Sequence, residues 1–413
     1  MGPVVRTGPH HVSVADPGAI KTIYGINSKC LKADFYKPFG ARFDGARFDN
    51  LFSTRDPVEH KHLKVSVSQK FSMTSIRQFE PMADECCAMF LAAMRELQGQ
   101  KMDLGVWVQW YAFDVIAAMT FQARFGFMET RTDVDGMISS IEKALMYGSI
   151  IGQIPKLHAQ ISLREMRRYE TDGEKSSRTD FLALTRADAA AEKHKLSDRE
   201  VLNHLSNNLL AGSDTTAISL RAVFYYLLQH PSVYRNLVDE IMAADRKGKL
   251  SEYITYGECV QLPYLQAVMK EAMRLHPGIQ IPLERVVPKG GTQIAGKYLP
   301  EGTVVGINPI VIHLNLEVYG PDAAEFRPER WLDADEEQLK IMDRSFLAFG
   351  HGSRTCIGKN ISIMEMGKFV PQILREFDFE WASNPKDWRV HTYWFAKQEG
   401  LVVRLMPRRL ATE

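Results

Sequence analysis

Phe349-Gly350-His351-Gly352-Ser353-Arg354-Thr355-Cys356-Ile357-Gly358 sets an aromatic ring, three glycines, an arginine and a cysteine at fixed offsets. Glycines let a backbone turn tightly and approach a flat cofactor where a Cβ would obstruct it. The residues that follow, Ile357 to Glu376, have helical periodicity, which sets Cys356 at a helix N-terminus. Free amide N–H groups and the positive end of the helix dipole favour thiolate there, and Arg354 is expected to add a nearby positive charge. The segment reads as a socket for haem iron, with the Cys356 sulfur as metal ligand and Phe349, Gly350, Arg354 and Gly358 shaping the loop. Two plainer readings compete. A lone cysteine is more often a small core residue. Gly-x-Gly turns also open dinucleotide sites, but Thr355 stands where the third glycine would be and no repeated strand-helix pattern surrounds it.

Composition allows one large fold. The 413 residues are 45% hydrophobic and 24% charged, ordinary for a globular protein able to enclose a cofactor. A formal net charge of +1 gives no argument for nucleic acid as a partner. Cys30, Cys86, Cys87, Cys259 and Cys356 contain no C-x-x-C pair, and an odd number in a long chain argues against a disulfide framework. No run approaches the roughly 18 uninterrupted apolar residues of a spanning helix, and no signal peptide opens the chain. Asn360-Ile361-Ser362 falls in the helix after Cys356 and reads as chance rather than a glycosylation site.

Along the chain the pattern predicts one unit, 1–413, mainly α with small β-sheets: a β-rich N-terminal edge (1–56), an α-rich core (57–277) and a mixed region carrying the cysteine loop (278–413). Strands are expected at Val4-Val5, His11 to Val14, Gln280 to Val287, Gly291 to Ile294, Val304 to Ile307 and Gly400 to Leu405. Asp16-Pro17 is expected to cap a short helix through about Tyr24. Helical spacing marks Met82 to Leu97 and Trp107 to Met119. Gly148 to Pro155, Asp172 to Ser177 and the near-repeat Ala41-Arg42-Phe43-Asp44-Gly45/Ala46-Arg47-Phe48-Asp49-Asn50 read as connections.

Three further groups of residues carry chemistry. A long helix is predicted over Asp198 to Gln229, opened by Ser197-Asp198-Arg199-Glu200 and closed by His230-Pro231, about 48 Å in length. Its centre, Ala211-Gly212-Ser213-Asp214-Thr215-Thr216, is poor for helix stability, since Gly costs up to about 1 kcal/mol against Ala. Ala211 and Gly212 are expected to let a macrocycle or a diatomic ligand approach, with Thr215 hydrogen-bonding bound oxygen and Asp214 relaying protons. The competing reading is a kinked interior helix whose hydroxyls bond their own carbonyls. Second, Glu271 and Arg274 lie three apart on one helix face. They form either a solvated surface pair or a buried pair that also engages Arg330 and braces the cysteine loop. Third, His60 and Lys64 lie one turn apart on a basic helix with Lys61, His62 and Lys70. They are expected, with Arg285 and Arg354, to hold two propionates, although a basic helix is more often a solvated face.

Every position of Phe-x-x-Gly-x-Arg-x-Cys-x-Gly is matched by Phe349 to Gly358, and the four groups come in the same order as in the cytochrome P-450 family, which the chain resembles from Gly2 to Leu405. Its texture, including Gly8-Pro9-His10-His11 to Pro17 and Phe121 to Phe127, is similar to fungal microsomal members of the pisatin-demethylase type. The resemblance implies haem b with Cys356 as proximal iron ligand, Asp214 and Thr215 as the oxygen-activation pair, and Glu271, Arg274 and Arg330 as a structural triad. It also implies a haem monooxygenase acting on an apolar small molecule, with pocket walls near Ala211, Ile279 to Leu283 and Trp394-Phe395. Electrons would come indirectly from NADPH through a separate reductase, with cytochrome b5 as a second possible donor and Lys61 and Lys70 as docking charges. The family's usual tryptophan and arginine below the propionates are His60 and Lys64 here. Fungal members are expected at the endoplasmic reticulum membrane, facing the cytosol. This chain starts where the first sheet should begin, so an N-terminal anchor is expected to be missing. Rival readings are a haem-thiolate isomerase, dehydratase or peroxygenase, and a non-catalytic haem-binding product.

Overall fold

The computed structural model describes residues 2–43, 46–153, 198–384 and 387–408. The principal helices are α1 (Pro57–Ser68), α2 (Glu80–Glu96), α3 (Leu104–Phe121), α4 (Met137–Gly152), α5 (Asp198–Gln229), α6 (Pro231–Arg246), α7 (Pro263–Leu275) and α8 (Lys359–Glu376). Local chemistry sets their starts. Pro57 opens α1 with its fixed φ, and the Asp56 carboxylate accepts from the N–H groups of Val58 and Glu59. Asp103 caps α3 by accepting from Val106 N at 3.1 Å.

α5 has the bounds that the sequence predicts; the capping serine, Ser197, lies outside the described residues. α5 packs along α3 and touches α7 and α8. α3 is predominantly apolar, as a helix enclosed along most of its length must be. Among the described residues α3 alone is long and apolar enough to cross a membrane, yet 72% of it is buried in the protein interior. The centre of the core is aromatic: Phe369 of α8 lies 4.8 Å from Phe90 of α2 and 4.2 Å from Tyr111 of α3, ring centre to ring centre. Each fully buried side chain of this size contributes roughly 1.5–3 kcal/mol.

Small sheets flank the helices. One runs in the order Val4–Gly8, His11–Val14, Val304–Gly306, Arg285–Val286, Leu31–Lys32. Its parallel pairing of His11–Val14 with Val304–Gly306 ties the N-terminal edge to the C-terminal region. A second joins Lys101–Asp103, Val402–Pro407 and Phe377–Trp381. The architecture is mainly α with small β-sheets, as expected.

Four local expectations change. Of Gln280 to Val287 only Arg285–Val286 is a strand, because Pro282 offers no N–H to a ladder. The near-repeat is not a loop: Ala41–Phe43 and Ala46–Phe48 pair antiparallel. Gly148 lies inside α4 rather than in a connection, and Gly152 is its last residue. A Cβ at Gly148 would come within 2.9 Å of the Phe39 ring, and one at Gly152 within 2.7 Å of Phe35, so close packing outweighs helix propensity. The first short helix spans Ala19–Tyr24 with Gly18 as its N-cap; the Asp16 carboxylate accepts from Gly18 N just before it. Asp172 to Ser177 lies outside the described residues.

Candidate active site

The cysteine loop closes on itself, with Cys356 N donating to Phe349 O at 2.8 Å. Two of its glycines are required by geometry. Gly350 (φ +70°) and Gly352 (φ +66°) adopt the left-handed conformation, and a Cβ on Gly352 would lie 1.9 Å from Tyr24 O. Gly358 caps α8. Cys356 is exposed whereas the other four cysteines are buried. Desolvation raises the pKa of the sulfur, while the N–H groups of Gly358 and Lys359 and then the Lys359 ammonium oppose that rise. The nearby charge is therefore Lys359. Arg354 turns away, donates to Thr54 O at 2.8 Å and faces a cavity instead.

That cavity, about 310 Å³, gathers His60, Lys61, Lys64, Arg285 and Arg354, together with Lys32, and among the described residues no carboxylate lines it. Lys32 sits directly opposite Arg285 in the antiparallel pairing of Leu31–Lys32 with Arg285–Val286. Like charges facing each other across a ladder destabilise it unless an anion lies between them. The Lys32 ammonium also lies 4.0 Å from the ring centres of both Tyr36 and Phe52, and Lys32 is only 7% exposed. Burial, followed by Arg285 and Arg354, pushes its pKa well below the usual lysine range. Burial and then Arg354 hold His60 at about 3. Burial and then Arg285 bring Arg354 down to about 10. Lys64 is lowered by burial and Arg354, and donates to Ser353 O at 2.8 Å. So dense a set of desolvated basic groups, with the neutral His60 imidazole as a further hydrogen-bond donor, fits a dianion such as the two propionates of haem. Nothing in Leu31-Lys32-Ala33 marks Lys32 in the sequence; its place follows from a pairing between segments some 250 residues apart.

At the centre of α5, Ala211 is exposed and Thr215, one turn on, is half-buried, so the two share an open side. Gly212 faces elsewhere. A Cβ there would meet Ile116 of α3 at 2.9 Å, so its smallness serves helix packing rather than the approach of a cofactor. The Thr215 hydroxyl donates to Ala211 O at 2.7 Å, the back-bonding that sequence reasoning set against a catalytic role. Its proton is committed, and its lone pairs are left to accept. Asp214 is 4% exposed, and its Oδ1 accepts from Gln109 Nε2 at 2.6 Å. Burial raises its carboxyl above the usual range; Arg221 and then Gln109 oppose that rise.

The sequence model described as Cytochrome P450 matches residues 3–399. The chain belongs to the cytochrome P450 family. Its relatives include a cytochrome P450 monooxygenase of Aspergillus terreus, 36% identical over 407 residues, covering 91% of this chain and 82% of that protein. Cytochrome P450 monooxygenase gsfF of Penicillium aethiopicum is 37% identical, covering 99% of this chain and 87% of that protein. Pisatin demethylase of Fusarium vanettenii is 36% identical, covering 99% and 82%. The chain is thus a P450 monooxygenase, and its family's cofactor is a haem held by a cysteine thiolate.

In this P450, Glu271 is fully buried and is the hub of a dense network. Arg274 donates to both its oxygens (2.7 and 2.8 Å), Arg330 Nε to Oε1 (3.1 Å) and Trp331 Nε1 to Oε2 (2.9 Å). Arg274 goes on to the carbonyls of His313 and Ala323, both at 2.6 Å. The solvated-pair reading of Glu271 and Arg274 is therefore wrong for this fold. A second cluster joins Trp394 and Phe395 to Ile279, Ile281 and Leu283, together with Phe35, Tyr36, Phe39 and Phe52. Ala211 is not part of it.

Proposed function

We propose that this P450 inserts one oxygen atom from O2 into an apolar small molecule, by hydroxylation or O-demethylation, in fungal secondary metabolism or detoxification. An open cysteine in the full Phe-x-x-Gly-x-Arg-x-Cys-x-Gly loop, in a chain that also places Asp214-Thr215 at the middle of a through-going helix, is the observation that carries this reading. Bound haem supplies the oxygen chemistry, and the thiolate's electron density favours O–O cleavage. The chain's own side chains do the rest. Cys356 Sγ would hold the iron. Arg285, Arg354, Lys64 and Lys32 would neutralise the propionates, and the His60 imidazole would donate a hydrogen bond to one of them. Thr215 Oγ1, its own proton fixed on Ala211 O, would accept a hydrogen bond on the open side of α5, and the Asp214 carboxyl would take up and release the proton. Ile279 to Leu283 and Trp394-Phe395 would wall the substrate side and exclude water.

Electrons would come from NADPH through cytochrome P-450 reductase, with cytochrome b5 as a second donor, at the cytosolic face of the endoplasmic reticulum. Lys61 and Lys70, both exposed, are docking charges on this reading; reductase turnover should then fall with added salt and with charge reversal at both. The back-bonded Thr215 hydroxyl is the observation that favours a haem-thiolate isomerase, dehydratase or peroxygenase instead. A carbon monoxide difference spectrum of the reduced protein tests the cysteine-ligated haem that both readings require, and turnover of Thr215→Ala with reductase separates them. Uncoupled oxygen consumption in that variant supports the monooxygenase, and unimpaired turnover supports the alternative.

A further inference from the structure

Asp214 is the near end of a buried polar chain that continues away from the open side of α5. Gln109 of α3, itself 4% exposed, donates from Nε2 to Asp214 Oδ1 at 2.6 Å and accepts at Oε1 from Arg221 Nη2 at 2.8 Å. Arg221, two turns beyond Asp214 on the same helix, is 2% exposed and donates from Nε to Gly105 O at 2.9 Å. The amide can point only one way, because a guanidinium offers only donors and an ionised carboxylate only acceptors. Gly105 makes the room: a Cβ there would lie 3.1 Å from Arg221 Nε.

We propose that Gln109 and Arg221 are positioning residues for Asp214, fixing one of its carboxylate oxygens and supplying through the amide the positive charge that sets its charge state.

Stability does not account for the arrangement. Arg221 Nη1 is buried without a hydrogen-bond partner among the described residues, and a half-satisfied buried network serves a fold less well than apolar packing would. The benefit lies at the carboxylate. Arg221 is the first influence opposing the desolvation of Asp214, and Asp214 the first opposing that of Arg221. Asp103 and Glu399 are the other acidic groups acting on Arg221, so the guanidinium balances three carboxylates of which Asp214 is the strongest partner. With Oδ1 held on Gln109, Asp214 has a defined orientation beside Thr215. Without Arg221 only the Gln109 hydrogen bond would oppose desolvation, and the carboxyl would be pushed further towards its protonated form.

This assignment rests on the reading of Asp214 as proton donor, and the test keeps the two apart. Infrared spectra of the ferrous carbon monoxide complex at pH 7 report the protonated-carboxyl band without turnover. Arg221→Met should gain a band that shifts in D2O and is absent from Arg221→Met/Asp214→Asn, whereas Arg221→Lys should keep the parent spectrum. Gln109→Met, which retains volume, is the second arm and should also gain the band. In turnover with reductase, both Met variants should lose product formed per NADPH by about tenfold, with substrate affinity unchanged, the low end of general acid–base effects. No new band in either variant, or a band that survives Asp214→Asn, overturns the proposal. So does failure of both variants to take up haem while Arg221→Lys takes it up normally, which would mark a purely structural role. If Asp214→Asn alone leaves coupling intact, the proton-donor reading fails, and the infrared arm still decides what sets the charge of Asp214.

Discussion

Leu347 N donates to His313 Nε2 at 2.8 Å, and His313 Nδ1 in turn lies 2.8 Å from Arg274 O. Because Nε2 accepts, the ring proton sits on Nδ1 and donates to that carbonyl. One neutral imidazole thus couples the Glu271-Arg274-Arg330 network to the start of the cysteine loop, with the Phe346 ring stacked on it at 5.3 Å. His313→Leu leaves a buried N–H and a buried carbonyl unpaired, each costing about 1–3 kcal/mol. The expected outcome is a lower Tm and faster haem transfer to apomyoglobin; an unchanged transfer rate would separate the network from the loop.

Gly352→Ala meets two penalties. A non-glycine residue at φ +66° costs of order 1–3 kcal/mol, and the new Cβ would collide with Tyr24 O, a backbone atom that cannot swing aside. The variant should express with little haem, seen as a low Soret-to-protein absorbance ratio. Gly358→Ala should be milder, since its Cβ would only touch Cys356 Sγ at 3.9 Å.

The long helix and the cysteine loop were legible because each rests on short-range signals: periodicity, a closing His230-Pro231, and glycines at places where only glycine fits. His60, Lys64, Arg285 and Arg354 were legible as anion-binding types, and folding brings all four into one cavity. Lys32 was not, since a two-residue strand has no periodicity and its partner is remote. Gln109 and Arg221 were hidden for a related reason: each looks like an ordinary helix residue until α3 and α5 are packed together. Gly212 misled because small size in a helix centre serves a cofactor and a neighbouring helix equally well, and only the distance to Ile116 distinguishes them. Arg354 misled because nearness in sequence to Cys356 is not nearness of charge.

Lys32→Met should move two measurements in opposite directions. Without haem, removing a desolvated lysine that faces Arg285 should raise the stability of the apoprotein, since its burial cost exceeds what the Phe52 carbonyl and the Tyr36 and Phe52 rings return. With haem, the loss of one charged hydrogen bond, about 1.5–3 kcal/mol, should weaken cofactor affinity roughly ten- to hundredfold. Thermal unfolding of apo and loaded protein, with haemin titration, checks both. A variant that binds haem as tightly as the parent would remove Lys32 from the propionate set.

Two buried groups give stability curves of opposite slope. Burial lowers His276 to about 4 from an ordinary value near 6.5, its ring lying 2.9 Å from Ala396 O through Nε2. A depressed histidine contributes stability that is complete above pH 6.5 and is lost as pH falls towards 4, by up to roughly 1.4 kcal/mol per unit. Glu365 is the reverse case. Its carboxyl oxygens are buried without hydrogen-bond partners among the described residues, and burial raises its pKa well above the usual range. Its contribution is complete below the unfolded value near 4.5 and is lost as pH rises from there, with the same limiting slope. Urea unfolding of the parent, His276→Asn and Glu365→Gln between pH 4.5 and 6.5 isolates each slope as a difference, cancelling the other titrating groups. The advantage of the parent over His276→Asn should shrink as the solution is acidified. Its standing relative to Glu365→Gln should improve over the same interval. Parallel curves for either pair would mean that the group in question carries the same charge in the folded and unfolded chains.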